Sequence, residues 1–473
     1  MCFFGGILIM SALAQHPKVA YLGLTLEYYR ELNPARISVY RNIMLKIQQK
    51  LTERFEIVSS HLCCTRSEVS AFLDQSYAEN ADVIVVSALS YTDSFSSSEL
   101  LANAKLPIVF WNTQYLEEVT EKFCDNDLSD NHTVQGVHDV AAVLHRLGAQ
   151  YDCVSGHWND AAALERLEYA VKAAQAAQAA KNLQVLTIAG MFKGMDDFLY
   201  DAQRVRNEWG PLAVESSIDD LMLERSKVTD AEIAEAVKLD QEIFDTTQMS
   251  EAVLKESTAY AIALEKLVKK AGTAAFTLNF KGVREDGRLP VMPFYAINKL
   301  LAKGYGYAGE GDFLRAALMA ELSVLGSVNF TEIYPVDFVN NRMLMSHMQE
   351  CNPAWSKKKI FMEEKSFGGD NPMPYCGMRF ECAPGAVTLV NLTENPDKTF
   401  RLIACAGNIP DLPFFIEDYH KPYWFFEPAN GTVEEFLDSY SLAGGTHHLI
   451  AVKAPLYAVK KLAQWHKFDF VNI

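Results

Sequence analysis

Residues 303–338 read KGYGYAGEGDFLRAALMAELSVLGSVNFTEIYPVDF, and the change of texture within them decides the architecture. AGEGD is a Gly-rich turn, an apolar helix is predicted from Phe313 to about Leu325, and VNFTEI then reads as a strand. Two carboxylates lie here in unlike settings, Glu310 in the turn and Glu332 at the end of the predicted strand. Downstream, His347 lies in MLMSHMQE and the pair His447 and His448 in AGGTHHLI. Two acids and two imidazoles converging from four segments suit a divalent metal with acid/base chemistry beside it. Each also has a purely structural reading: Glu310 favoured at a helix N-terminus, Glu332 a solvated strand end, His347 a hydrogen-bonded core histidine.

Upstream of this stretch, strand and helix alternate. KVAYLGLT, from Lys18, is a strand, and Asn33 with Pro34 is expected to cap a helix running to about Arg54. EIVSSH, DVIVVSAL and PIVFWN are further β-branched strands, so a parallel sheet covered on both faces is expected. NHTVQGVHDVAAVLHRLG, residues 131–148, starts at a strand end, where ligands of doubly wound sheets bind; His132, Gln135 and His138 are candidates to touch a polar substrate, with capping as the plainer role. A helix from Asp160 to Lys181 leads out of this domain, and LQVLTIAGM opens a second α/β unit in which Met191 and Met195 are pocket or core residues. TDAE at 229–232 is a capping box, a helix follows from about Ser250 to Ala271, and FTLNF is the next strand.

Downstream, GAVTLVNL and TFRLIACAG flank ENPD as a hairpin, and PYWFFE and HHLIAVKA add strands before a last amphipathic helix. The predicted fold is α/β: two doubly wound parallel-sheet domains, residues 1–182 and 183–326, then a β-rich, antiparallel barrel-like domain, 327–473.

A chain of 473 residues with 49% hydrophobic residues exceeds what one core usually holds, which agrees with several domains. A net charge of −17 argues against nucleic acid and anionic membrane as partners and leaves a neutral sugar unaffected. The nine cysteines form no CxxC and no zinc-knuckle spacing, as expected of free thiols in a reducing cytoplasm. The first 14 residues, MCFFGGILIMSALA, lack a basic n-region; they read as an over-extended start, with Met10 as the alternative initiator, rather than as a secretion signal. No GxGxxG follows the first strand, so no nicotinamide is expected.

GYGYAGEGD, NFTEIYPVDF, SHMQECNP and AGGTHH resemble, in the same order and at similar spacing, the four signature segments of the L-arabinose isomerase family. The resemblance spans nearly the whole chain. It implies a metal-dependent aldose–ketose isomerase in which Glu310 and Glu332 both catalyse and bind metal, with His347 and His448 completing the ligand set and Mn²⁺ (Co²⁺ as substitute) as the cofactor. Matching segment by segment implies that Met195, Phe280 and Phe367 line the substrate pocket, with a core role as the alternative for each, that Gln135 stands at a pocket position, and that His447 either bonds a substrate hydroxyl or packs as a satisfied side chain. It also implies a homo-oligomer, hexameric or trimer-based, and L-arabinose to L-ribulose as the reaction, with D-galactose to D-tagatose as a further one. The alternatives are the same chemistry on another aldose such as L-fucose, or a non-catalytic sugar-binding protein on this scaffold. The chain departs from the family where the far end of the sugar is read: LTLEYY, with Leu26 and Glu27, stands in place of a Gln-His pair, and Gln135 stands in place of a pocket histidine. Adjacent strand residues face opposite ways, so only one of His447 and His448 is expected at the ion, and the resemblance favours His448.

Overall fold

The computed structural model describes residues 16–369 and 372–473, in two compact units, His16–Gln178 and Ala179–Ile473. The leader-like run of residues 1–14, with Cys2 and Met10, lies outside the described residues. The first unit carries strands β1 (Lys18–Leu24), β2 (Glu56–Cys63), β3 (Val83–Ala88), β4 (Ile108–Asn112) and β5 (Tyr151–Ser155). They form a parallel sheet in the order β2-β1-β3-β4-β5. Every residue of β3 is buried and all of β1 but Lys18, because helices cover both faces of a parallel sheet. On one face Leu22, Val86 and Phe110 join Phe72 and Val140 from helices Arg66–Ala78 and Thr133–Arg146 in a common core.

One cap differs from expectation. Asn33 makes no side-chain bond to the helix Pro34–Leu51, because it already ends a short helix, Glu27–Leu32, by donating its N–H to the Tyr29 carbonyl. The Thr229–Glu232 capping box does form, and Gly272, in the left-handed region at φ 66°, stops the helix Glu251–Ala271.

In the second unit come β6 (Gln184–Ile188), β7 (Leu212–Ser216), β8 (Asp245–Gln248), β9 (Ala275–Leu278) and β10 (Gly306–Gly309). All but β8 form a second parallel sheet, β10-β9-β6-β7. Helix Phe313–Leu325 is buried along its whole length, and Gly306 lets β10 approach it: a Cβ there would lie 2.5 Å from the Ala316 carbonyl oxygen.

The chain continues through β11 (Val328–Asp337), β12 (Arg342–Ser346), β13 (Phe361–Phe367), β14 (Met373–Arg379), β15 (Gly385–Glu394), β16 (Phe400–Ile409), β17 (Tyr423–Pro428), β18 (His448–Val452) and β19 (Asp469–Asn472). Antiparallel pairing runs β15-β18-β11-β12-β17-β16 and closes from β16 back to β15, a six-stranded barrel. β19 joins β16 in parallel, and β14-β13-β8 make a separate small sheet. The fold is therefore parallel α/β sheets followed by an antiparallel barrel, as the alternation and then the run of strands predict. Among the described residues no disulfide links Cys63, Cys64, Cys124, Cys351, Cys376, Cys382 or Cys405, and no helix is long and apolar enough to cross a membrane.

Candidate active site

Two barrel pairings and one turn build the site. Glu332 lies in mid-strand, since β11 runs on to Asp337, and it pairs with His448 of β18 on one side and Ser346 of β12 on the other. The chain leaves β12 through His347, the next residue. Register alone thus brings Glu332, His347 and His448 together. Glu310 arrives from the parallel sheet, just past the end of β10. Its backbone is in the left-handed region at φ 66°, a conformation that costs a non-glycine residue about 1–2 kcal/mol. Both backbone groups are held there: its N–H donates to the Leu278 carbonyl at 3.1 Å and its carbonyl accepts from Phe192 N at 2.7 Å. Gly311 follows at φ 94°, where a Cβ would lie 2.4 Å from Met191 Cα, so the turn admits no other residue there without displacing that loop.

Three imidazoles face one carboxylate oxygen. Glu332 Oε1 lies 3.8 Å from His347 Nε2, 3.7 Å from His448 Nε2 and 3.7 Å from His447 Nε2. Glu310 Oε1 is 4.0 Å from His347 Nε2 and its Oε2 4.0 Å from His448 Nε2. These separations exceed hydrogen-bond length, and Glu310 Oε2 and His448 Nε2, both buried, have no hydrogen-bond partner among the described residues. Buried polar atoms left so are rare, and they point at a common volume. With metal–ligand bonds of about 2.0–2.2 Å, the ligand atoms of one ion lie roughly 3 to 4.4 Å apart; two overlapping triads, Glu310 with His447 and His448 and Glu332 with His347 and His448, each keep their ligand atoms within 4.8 Å of one another and could hold a divalent cation.

Each imidazole is fixed from behind by its own carboxylate. His347 Nδ1 donates to Glu350 Oε2 at 2.7 Å, His448 Nδ1 to Asp312 Oδ2 at 2.9 Å, and His447 Nδ1 to Asp197 Oδ2 at 2.5 Å. Such pairing sets the tautomer and turns every Nε2 toward the acids. Glu350 is in turn held by the Tyr307 hydroxyl at 3.1 Å and the Gln349 N–H at 3.0 Å, and Asp312 caps the helix by accepting from Arg315 N at 3.2 Å. The Phe330 ring meets His347 and His448 edge-on at 4.9 Å each, and Phe198 stacks on His448 at 5.4 Å.

The electrostatics follow from this arrangement. Burial pushes Glu310 up to about 7, opposed by His347 and reinforced by Glu332. Burial works against charge on His347, but the Glu350 carboxylate, then Glu332 and Glu310, outweigh it and raise the imidazole to about 9. His448 falls below the ordinary histidine value, burial prevailing over the Asp312 bond. Burial opposes ionisation of Glu350 and Asp312 as well, yet His347 beside the first, and Arg315 and His448 beside the second, hold both below the usual carboxylate range.

The pleat argument does not separate the two adjacent histidines. β18 begins at His448, so His447 stands before the strand, outside its alternation, and both Nε2 atoms reach Glu332 Oε1 at the same 3.7 Å. Phe280 and Phe367 meet edge to face at 5.5 Å in an aromatic cluster with Phe192 and Phe294, joined to Glu310 through the Phe192 amide. Met195 is half-buried just before the turn Asp196–Phe198 that carries Asp197. Gln135 is exposed on helix Thr133–Arg146 of the first unit, near His132, which stacks on Tyr91. The residues that sequence reasoning missed are the backing acids Asp197, Asp312 and Glu350. Only Glu350, three residues after His347, and Asp312, at the N-cap of a predicted helix, carried a local signal.

Comparison with known proteins places three family models along the chain: L-arabinose isomerase N-terminal domain at 35–182, central domain at 201–328 and C-terminal domain at 327–469. The protein is an isomerase-type enzyme. It belongs to the L-arabinose isomerase family. The L-arabinose isomerases of Yersinia pestis bv. Antiqua (strain Nepal516) and Yersinia enterocolitica serotype O:8 are each 23% identical over 443 residues, covering 88% of this chain and 86% of theirs. A solved ABC transporter solute-binding protein from Burkholderia multivorans covers 66% of this chain and 93% of its own at 14% identity, with a TM-score of 0.18 that is too slight for any inference.

Proposed function

We propose that the protein interconverts an aldose with its 2-ketose, L-arabinose with L-ribulose foremost and D-galactose with D-tagatose as a second pair. The observation that carries this is the cluster itself: two carboxylates of unlike exposure converging with three imidazoles, each imidazole locked by a carboxylate behind it. Glu310, Glu332, His347 and His448 would hold a divalent ion, Mn²⁺ or in substitution Co²⁺, which supplies Lewis-acid polarisation of neighbouring sugar oxygens.

The chain's own groups then handle protons. Isomerisation moves one hydrogen from C2 to C1 through a cis-enediol and one hydroxyl proton between O2 and O1, so two carriers are needed and one must be protonated while the other is ionised. Glu310, with 7% of its side chain exposed, and Glu332, with 20%, sit in environments different enough for that division. His447, tied to Asp197 through Nδ1, presents Nε2 beside Glu332 as a hydrogen-bond acceptor for a substrate hydroxyl. The same reading makes the enzyme a cytoplasmic homo-oligomer with neither nucleic acid nor membrane as partner.

The test is a panel of aldoses, L-arabinose, D-galactose and L-fucose among them, incubated with Mn²⁺-loaded protein and assayed for ketose. The Leu26, Glu27 and Gln135 departures make L-fucose the informative comparison, because they alter what reads the far end of the sugar. Failure on every aldose would favour a non-catalytic sugar-binding role.

Three substitutions check the ligand set. His448→Asn should lower the metal content of dialysed protein, whereas His447→Asn should keep the metal and change turnover or sugar preference; the reverse pattern would exchange their roles. Glu350→Gln leaves all ligands in place but removes the charge that orients His347, so Mn²⁺ affinity should fall about 10- to 100-fold. Unchanged affinity in a titration of that variant would show that His347 orients without it.

A further inference from the structure

From Tyr419 to Pro422, the residues leading into β17, the chain is hydrogen-bonded at every residue but Lys421. The Tyr419 hydroxyl donates to Ser346 Oγ at 3.0 Å, the His420 carbonyl accepts from Gln349 Nε2 at 3.0 Å, and His420 Nδ1 lies 2.8 Å from Glu363 Oε1. The Pro422 carbonyl accepts from Ser346 Oγ at 2.8 Å. Lys421, between them, reaches no oxygen among the described residues: its ammonium has Met348 Sδ at 3.6 Å and the centre of the Tyr334 ring at 5.6 Å. A thioether and an aromatic face are weak partners for three N–H donors on a half-buried side chain.

Its place is set by register. Ser346 pairs with Tyr423, so the chain past β12 and the chain before β17 bring Met348, next to His347, beside Lys421. Tyr334, the other contact, lies two residues beyond Glu332 on β11. The ammonium therefore stands at the rim of the carboxylate–imidazole cluster, close enough for Glu350 and Glu332 to act on its charge.

We propose that Lys421 is a specificity-determining residue that donates hydrogen bonds to a hydroxyl of the open-chain sugar remote from the reacting carbons. The proposal deepens the isomerase reading and rests on it. A neutral hydroxyl is the expected partner, because the aldose of that reading carries no anionic group and a hydroxyl oxygen accepts from the N–H donors that only a thioether and an aromatic face now meet. A site built to bind a hydroxyl also discriminates against sugars that lack it, since the half-buried donor then loses that partner.

The experiment compares wild type, Lys421→Met, which keeps the length and apolar packing, and Lys421→Arg, all Mn²⁺-loaded, on the best aldose of the panel and on its analogue lacking the terminal hydroxyl. Lys421→Met should raise KM at least about 10-fold with kcat and metal content little changed, and Lys421→Arg should recover part of the loss. The deoxy analogue should weaken the wild type but cost Lys421→Met nothing further. An active wild type whose KM is untouched by Lys421→Met overturns the proposal, as does equal sensitivity of both proteins to the deoxy analogue. If Lys421→Met fails to fold, judged by circular dichroism, Lys421→Gln replaces it. If wild type converts no aldose, the isomerase reading fails, and calorimetry with the unreactive polyol L-arabitol decides this one: tenfold weaker binding by the variant sustains it, and equal or absent binding ends it.

Discussion

Glu332→Gln and Glu310→Gln should each lower kcat at least about 10³-fold while the protein stays folded. The amide preserves the shape of either side chain, so β11 keeps its pairing through Glu332 to Ser346 and His448, and the Glu310 turn keeps its two backbone bonds. What disappears is a negative charge within 4.0 Å of His347 Nε2 and a group able to carry a proton. Each loss alone is worth about two orders of magnitude or more, and here one substitution removes both. The measurement is kcat on the aldose identified by the panel, with circular dichroism as the folding control. Near-normal turnover by either variant would remove that residue from the proposed pair.

Chelation should abolish turnover, and Mn²⁺ or Co²⁺ should restore it where Ca²⁺ does not. Two imidazole donors suit a transition metal, while Ca²⁺ prefers an all-oxygen shell. Full activity after exhaustive chelation would remove the metal from the proposal. The metal-free protein should also show a defined pH response. Glu310, raised from 4.5 to about 7, binds more protons folded than unfolded, so its contribution to stability declines as pH climbs from 4.5 to 7. His347, raised from 6.5 to about 9, contributes stability fully below 6.5 and loses it as pH climbs to 9. His448, held below 6.5, works the other way and gains stability as pH climbs to 6.5, so the Tm of metal-free protein should fall chiefly between pH 6.5 and 9. Mn²⁺ affinity should rise, because the ion must displace those protons, and calorimetry in buffers of differing ionisation enthalpy would count them. A Tm of metal-free protein that is flat or rising from pH 6.5 to 9 would contradict the His347 shift.

Much of this was legible before any coordinates, for identifiable reasons. VIVVSA and KVAYLGL announce buried parallel strands by β-branched, apolar continuity, and the ENPD turn announces the β15–β16 hairpin, because these signals are local. The convergence of Glu310, Glu332, His347 and His448 needed the family pattern, since it arises from pairing among strands far apart in the chain. The backing acids stayed hidden because long-range pairing is not written in a short window: Asp197 reads as a surface acid in KGMDDF and is exposed in the structure, yet its partner is 250 positions away. The roles of His447 and His448 could not be parsed by alternation because the boundary of β18 falls between them, and strand ends are the least legible part of any pattern.

Barrel closure has a bearing on how this enzyme would fail. Because β16 returns to β15, the six strands have no free edge from which to fray, and Glu332, His347 and His448 all hang from neighbouring rungs of that ring. The ligand set then opens only when the ring does, as one cooperative unit. Hydrogen exchange at the amides of Thr331 and Leu449, which sit opposite each other on β11 and β18, would report the lifetime of the reactive geometry. Heat inactivation should track that slow opening, and stabilising substitutions elsewhere on the barrel should lengthen the working life of the site without touching its chemistry.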